Sequence, residues 1–405
     1  MAAVENQSSL SRLPRNIWIV TITSFLTDIS SEMIFNLIPL FLANVLGVGT
    51  AVIGLIDGVA ETTASLTKVY AGALSDQLGR RKWLAVIGYG LSAFSKPFLY
   101  FANAWGWVLG VRFSDRIGKG VRTAPRDALV ADSIDDKQRG LAFGIHRAGD
   151  TAGAFVGLGL AALIVWLTES GAAKLTRHTF QIAVLVSILP AVLAVLVLAF
   201  GARDVPGTPK SGTRLQLTLE GLDNRFKIFL FVVVLFTLGN SSDSFIVLLG
   251  QNRGLDVLQI MLMVMTFNFV YASLASPLGS LSDRLGRRAL IIAGWIVYGV
   301  IYLGLALSHA GWHVWVLYGL YGIYYAATDG VARALVADIV PAERRGGAYG
   351  LYNAAVGITA LPASVIAGLL WQGAGSWTGF GPSAPFLFGA ALALLSGILF
   401  WRLVR

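Results

Sequence analysis

Gly72-Ala-Leu-Ser-Asp76-Gln-Leu-Gly79-Arg80-Arg81 returns later in the chain as Gly279-Ser-Leu-Ser-Asp283-Arg-Leu-Gly286-Arg287-Arg288, at an offset of 207 residues. Ala128-Leu-Val-Ala-Asp132 returns as Ala334-Leu-Val-Ala-Asp338, at an offset of 206, and an Arg-Gly pair follows each copy (Arg139-Gly140 and Arg345-Gly346). Two offsets so nearly equal, each about half of the 405 residues, describe one unit built twice. Internal repeats on this scale mark folds assembled from two related helical halves.

The composition says what solvent those halves live in. Hydrophobic residues make up 56% of the chain and charged residues only 13%, and the mean hydropathy is +0.70. A soluble domain of this length could not hide so much apolar surface; a bilayer does not require it to be hidden. Eleven Trp and 46 Gly agree, since indole rings favour the headgroup interface and Gly lets helices approach closely. Without any Cys, disulfides, thiolate metal sites and cysteine nucleophiles are excluded. Met1–Arg15 is polar and the first apolar run is long enough to span and stay, so no cleavable signal peptide is expected.

Apolar runs of about 20 residues predict spans near 16–44, 51–74, 83–103, 105–131, 140–167 and 179–201, then 227–250, 257–281, 289–308, 312–337, 346–371 and 384–404. The expectation is an all-α membrane protein of twelve transmembrane helices in two pseudo-symmetric six-helix bundles, residues 1–200 and 227–405, with 201–226 as a polar linker. Arg12, Arg15, the Arg80-Arg81-Lys82 cluster, Lys137, Arg139, the linker's Arg203, Lys210, Arg214, Arg225 and Lys227, and their second-half counterparts put nineteen positive residues on one side, against Lys174, Arg177 and Arg253 on the other. The positive-inside rule then places both termini and the linker in the cytoplasm. Much of the formal charge of +9 is therefore topology, and nucleic acid is not an expected partner.

The decapeptide G-x-L-S-D-x-L-G-R-R between the second and third spans, repeated between the eighth and ninth, resembles the loop signature of the major facilitator superfamily, and the overall pattern covers nearly the whole chain. The resemblance implies a cytoplasmic latch, with Asp76, Arg80, Asp283 and Arg287 gating rather than touching substrate. Gly110-Val-Arg112-Phe-Ser-Asp115-Arg116-Ile-Gly118-Lys119-Gly120 in the fourth span resembles the family's R-x-x-Q-G-x-G-x-G, with Asp115 for the usual Gln and Arg116 for the usual Gly. Gly149-Asp-Thr-Ala-Gly153-Ala-Phe-Val-Gly157 resembles the glycine-rich antiporter motif of the fifth span, with Ala154 near the place of its usual Pro.

Nine basic residues fall inside spans: Lys68, Lys96, Arg112, Arg116, Lys119, Arg122, Arg126, Arg147 and Arg333. A charge at membrane depth costs roughly 2.5–3.5 kcal/mol unless paired or hydrated, so these residues are functional candidates. Arg112, Arg116, Lys119, Arg122 and Arg126 recur at intervals of 4, 3, 3 and 4, a single stripe along one helix face. Turned to a cavity, the stripe with Asp115 would bind carboxylate or phosphate, which a guanidinium holds with two parallel hydrogen bonds. Arg122 and Arg126 could instead snorkel to the headgroups.

Asp28 and Glu32 lie one turn apart on the first helix, Asp57 and Glu61 one turn apart on the second, and Ser30-Ser31-Glu32 aligns with Ser241-Ser242-Asp243 of the seventh. Burial and like-charge neighbours favour a protonated carboxyl, the property a proton-coupling group needs; the alternative is that these acids neutralise the basic stripe. Arg147 with Asp150, and Asp329 with Arg333, are expected as intrahelical pairs, and His146 as a packed histidine. Tyr318, Tyr321, Tyr324 and Tyr325 either line a cavity or pack helices.

The expected function is secondary transport of a small organic solute, proton-coupled and anionic, by alternating access. The alternative is proton-driven efflux of lipophilic cations, followed by a non-transporting receptor or scaffold. No catalytic residue, metal or cofactor is expected: there is no metal-ligand spacing, no nucleophile–base arrangement and no P-loop. Expected partners are the bilayer, the solute and protons, for a monomer in a bacterial inner membrane.

Overall fold

The computed structural model describes residues 13–135, 138–169, 171–205, 218–341 and 344–403. Arg12, Lys137, Lys210, Arg214, Arg405 and residues 206–217 of the 201–226 linker lie outside the described residues. Fourteen α-helices run α1 Arg15–Phe35, α2 Ile38–Asn44, α3 Thr50–Leu78, α4 Lys82–Ser95, α5 Trp105–Asp132, α6 Arg139–Glu169 and α7 Arg177–Gly201 in the first half. The second half holds α8 Asn224–Gly239, α9 Ser244–Asn252, α10 Val257–Leu285, α11 Arg287–Ala306, α12 Gly311–Ile339, α13 Arg345–Gln372 and α14 Ala384–Leu403.

These make twelve crossings, because three of the runs expected as continuous spans are broken. The first divides into α1 and α2 at Asn36-Leu37, where Pro39 opens α2. The third ends in a 3₁₀ turn, Lys96–Phe101, started by Pro97. Proline has no amide hydrogen and clashes with the preceding turn. The seventh breaks at Asn240–Asp243 without a proline; there side-chain hydroxyls satisfy the freed amides, Ser364 Oγ accepting from the Ser242 amide at 3.3 Å and Ser242 Oγ from the Ser244 amide at 3.2 Å. Small hydroxylated side chains compete with the helical ladder in this way.

Among the described residues nine spans are long and apolar enough to cross a membrane on those criteria alone. α3 and α5 fall short because Asp57, Glu61 and Lys68, and the basic stripe, sit within them; α12 carries Asp329 and Arg333, and its Tyr, Trp, His and Gly residues lower its hydropathy. They cross because those charges turn inward. Outward, Leu189, Phe200, Phe231, Val300 and Ile398 stand exposed, tolerable in lipid and not in water.

In the first half α1 packs on α6 and α7, and α5 on α3 and α4; in the second α12 packs on α10 and α11, and α8 on α13 and α14. The halves meet chiefly through α3 with α13 and α6 with α10, with smaller contacts of α9 on α2 and α3. The α1–α6 contact explains the glycine series of the fifth span: a Cβ on Gly153 would stand 2.4 Å from the Phe25 carbonyl oxygen, and one on Gly157 2.6 Å from that of Ile29. No side chain fits between backbones this close.

α3 and α13 seal one end of the molecule. The Thr50 amide donates to Gln372 Oε1 at 2.8 Å, Thr50 Oγ1 to the Gly368 carbonyl at 3.0 Å, and Thr62 Oγ1 to the Gly357 carbonyl at 2.6 Å. A Cβ on Gly54 would approach the Ser364 carbonyl oxygen to 2.1 Å. Toward the opposite, arginine-rich end lies a vestibule of about 460 Å³, lined by Arg147 of α6 and by residues of α10, α11 and α12.

Candidate functional site

Between the halves lies a cavity in two lobes. One, of about 400 Å³, is lined by Asp57, Glu61, Arg112 and Arg116 from the first half and by Asn240, Ser242, Asp243, Tyr325 and Ser364 from the second. The other, of about 280 Å³, adds Asp28, Glu32, Asp115, Lys119 and Arg122 facing Phe267, Asn268 and Tyr318. Phe35, Asn36, Glu61, Arg116 and Asp243 border both lobes. The stripe on α5 and the paired acids on α1 and α3 are therefore brought together in one place.

They arrive partly paired. Arg112 Nη2 donates to Asp57 Oδ1 at 3.0 Å, both side chains 7% exposed. Ser242 Oγ, from the other half, donates to Asp57 Oδ2 at 2.8 Å. Arg116 faces Glu61 at 3.4 Å and Asp115 at 4.0 Å; the Glu61 side chain is half exposed to the cavity. The stripe is thus opposed by acids rather than standing as an uncompensated positive wall. Yet Arg112 Nε and Nη1 and Arg116 Nε are buried with no hydrogen-bond partner among the described residues. Each guanidinium retains donors for a further anion.

Phe35 organises this wall. The guanidiniums of Arg112 and Arg116 both lie 4.8 Å from its ring centroid, and Lys96 Nζ lies 5.9 Å away. An aromatic face stabilises desolvated cations by about 2 kcal/mol. Lys96 itself is buried and donates to Ser30 Oγ at 2.6 Å and Ser31 Oγ at 3.0 Å. Lys119 lines the second lobe with its side chain exposed. Arg122 and Arg126 turn into the bundle, not out to lipid: Arg122 stacks on Tyr89 at 4.6 Å, and Arg126 reaches Asp127 and Ser24.

Among the acids, Glu32 accepts from Asn36 Nδ2 at 2.9 Å, and Asp28 borders the second lobe. Asp243 occupies the break between α8 and α9, with Tyr325 Oη 3.5 Å from Oδ2 while its buried Oδ1 lacks a partner. Glu32, its counterpart in the sequence alignment, remains inside α1, four residues before the α1–α2 break. Tyr321 and Tyr324 bond to Asn240, and Tyr318, Tyr321 and Tyr324 are buried in an aromatic cluster with Phe267, Tyr298 and Tyr302. Packing explains these three rings, although Tyr318 touches the second lobe; Tyr325 reaches both the first lobe and the vestibule.

The residues expected to gate divide. In the second half Arg287 clamps Asp338 at 2.7 Å and Asp283 at 3.5 Å. In the first half the clamp is made by Arg81, not Arg80: it reaches Asp76 at 2.9 Å, Asp132 at 3.3 Å and Ser75 at 2.8 Å, while Arg80 is exposed. Gly79 causes the difference of register. It ends α3 in the left-handed region at φ +62°, which glycine alone adopts freely, whereas Gly286 is both the end of α10 and the N-cap of α11 at ψ 136°. A second correction concerns α6. Arg147 does not pair with Asp150; it donates to Tyr271 Oη across the halves, and Asp150 lies beside His146. Asp329 and Arg333 do pair, at 3.2 Å.

Sequence reasoning missed Phe35, Asn36, Asn240, Ser242 and Arg81. The polar run Asn240-Ser-Ser-Asp243 inside an apolar span, and Pro39 within the first, were the signals available for four of them. Arg81 is an adjacent-arginine ambiguity that only the loop geometry resolves.

A membrane-embedded two-bundle fold around a central charged cavity defines a solute transporter of the alternating-access type. The profile of the Major Facilitator Superfamily matches residues 20–242 and 228–405, and the chain belongs to that family. An uncharacterized MFS-type transporter of Methanocaldococcus jannaschii is 34% identical over 401 residues, covering 98% of this chain and 96% of that one. The tetracycline resistance protein, class B, of Escherichia coli is 32% identical over 126 residues, 31% of this chain and 29% of that protein. Among solved structures, a mutant of the nucleoside transporter NupG superposes with a TM-score of 0.79 at 13% identity, covering 96% of this chain and all of that one. That likeness concerns the fold.

Proposed function

We propose that this transporter carries a small organic anion, bearing a carboxylate or phosphate, together with a proton. The observation that carries the proposal is that Arg112 and Arg116 line the cavity and each keeps a guanidinium donor without a partner among the described residues. Arg112, Arg116 and Lys119 would hold the anion, with Asp115 fixing Arg116, while Tyr325, Asn240 and Ser242 meet the remainder of the solute.

Asp57 and Glu61 give the coupling. Each occupies an arginine that the anion needs. Protonating Glu61 removes its claim on Arg116, so proton and anion load together and leave together. Asp28, Glu32 and Asp243 border the same cavity and serve as further proton acceptors. The units 1–200 and 227–405 rock about this site, with 201–226 as their tether. The excess of positive loops supports a cytoplasmic arginine-rich end, with the α3–α13 seal outward and the conformation inward-facing. Clamps at Asp76–Arg81 and Asp283–Arg287 hold the cytoplasmic helix ends. A bacterial inner membrane and a monomer fit this arrangement.

One observation favours a second reading. Asp243 presents an unpartnered Oδ1 beside tyrosine rings, and a carboxylate with aromatic faces attracts lipophilic cations. Thermal stabilisation of the purified protein by a panel of organic carboxylates, phosphates and lipophilic cations separates the two, because a ligand that binds only the folded state raises apparent stability. Stabilisation by anions that is lost in Arg116→Gln supports anion transport. Stabilisation by cations alone, unchanged in Arg116→Gln, overturns it in favour of cation efflux.

A further inference from the structure

His146 and Asp150 have no part in the site described so far, and their surroundings are unusual. His146 is 4% exposed on α6, and both ring nitrogens are buried without a hydrogen-bond partner among the described residues. Its Nε2 lies 3.7 Å from Asp150 Oδ2, and Asp150 Oδ1 has no partner either. Thr21 Oγ1 on α1 and Arg122 Nη1 on α5 share this condition. Buried polar atoms are nearly always hydrogen-bonded, to protein or to water. Several unpartnered ones on α1, α5 and α6 leave donors and acceptors that bridging water would satisfy.

The arrangement has a direction. α1 and α6 run parallel and in register: Thr21 meets Gly149, Phe25 meets Gly153 and Ile29 meets Gly157. On that register Asp28 stands highest, at the cavity; Ser24 is one turn below it, Asp150 lower again and His146 a turn beneath. At a rise of 1.5 Å per residue, Asp28 and His146 are about 15 Å apart along the axis, half the thickness of a bilayer core of about 30 Å. Ser24 Oγ and Tyr89 Oη, 3.1 Å apart with either able to donate, stand between. The charged groups around His146 are Arg126 and Asp127 of α5 and Arg147 and Asp150 of α6; α1 presents Thr21 and Ser24, and α10 presents Tyr271 through Arg147.

We propose that His146, Asp150 and the Ser24–Tyr89 hydroxyl pair form a proton relay that connects Asp28 in the central cavity with the arginine-rich end of the molecule. The proposal rests on the proton-coupled reading of the cavity. A proton taken by one ring nitrogen of His146 is matched by release from the other to the Asp150 carboxylate. Asp150 passes it through water and a hydroxyl, which accepts one proton as it donates another, and it ends on Asp28. One proton moves; Asp150 and the hydroxyls regain their starting protonation, and His146 is left in its other tautomer until a ring flip or a tautomer exchange returns it. Proton exchange then proceeds while the solute or the opposite gate blocks the vestibule.

The test is an acid pulse on the full-length detergent-purified protein, followed by stopped-flow infrared spectroscopy of the carboxyl carbonyl band. Asp28→Asn identifies the share of the signal that belongs to Asp28, and the probe is the proton alone. The expected result is that His146→Asn slows protonation of Asp28 on the order of a hundredfold, the low end of what a positioned proton-transfer group contributes, with the final amplitude unchanged. Imidazole in the buffer restores the rate in His146→Ala, which a packing role would not produce. Asp150→Asn slows the same component and carries the test should the histidine variants fail to fold. An unchanged rate in His146→Asn and Asp150→Asn overturns the relay and leaves proton coupling standing. If Asp28 in the wild type takes up no proton at any pH at which the protein remains folded, the relay is overturned together with the role of Asp28 as a proton carrier.

Discussion

Asp57→Asn should destabilise this protein by about 3 kcal/mol or more, and Arg112→Gln on top of it should recover much of the loss. The two side chains meet at 3.0 Å and are each 7% exposed. With an effective dielectric constant of about 20, charges at that separation attract by about 5–6 kcal/mol, and breaking a buried pair from one side costs about 3–5 kcal/mol because the other charge is left behind. Asp115 and Glu61 lie close enough to Arg116 and its neighbour to compensate part of the charge, which argues for the lower end. Asparagine preserves the shape and still accepts from Ser242 Oγ, now at 2.8 Å from Asp57 Oδ2, so the loss reports charge rather than a cavity. The assay is equilibrium unfolding in mixed micelles of the wild type, both single variants and the double variant. A coupling of about 2 kcal/mol or more is expected for contacting charges. A loss below about 1 kcal/mol in Asp57→Asn, or strict additivity in the double variant, would refute the ion pair as a determinant of this cavity and with it the competition between Asp57 and a bound anion.

Arg81→Gln removes contacts to Asp76, Asp132 and Ser75, whereas Arg80→Gln removes none that the structure shows; only the first should lower the melting temperature or alter transport, and equal effects would reject the assignment. Gly54→Leu puts carbon where the Ser364 carbonyl oxygen leaves 2.1 Å, so the α3–α13 seal must open; with no native Cys, a single cysteine introduced at Ser65 on α3 reports the change by alkylation rate, and an unchanged rate would count against the seal. Phe35→Leu removes the ring beneath two guanidiniums and should weaken stabilisation by organic anions by about 1–2 kcal/mol, with Phe35→Tyr retaining it; equal binding by the Leu variant would show that Phe35 does not position the arginines.

The duplicated decapeptides and the pattern of apolar runs and positive loops were enough, by themselves, to establish a twelve-span, two-half membrane protein. Lipid forces that legibility: only helices and closed barrels satisfy their backbone hydrogen bonds there, and repeated apolar runs of about 20 residues mark the helix. Inward-facing charge was legible for the same reason, since Arg112, Arg116, Lys119, Asp57 and Glu61 can be tolerated at membrane depth only where protein or water surrounds them. Partner choice was not. Arg112 takes Asp57 from another helix, Asp57 takes Ser242 from the other half, and Asp150 takes His146 while Arg147 crosses to Tyr271. Spacing along one helix names the faces that groups share, but a few ångströms between separate helices decide which charges meet, and those ångströms are set by glycines such as Gly153 and Gly54 at backbone contacts. Tertiary structure alone decided which arginine of the adjacent pair Arg80-Arg81 meets the acids of its loop, and that one phenylalanine underlies the basic wall.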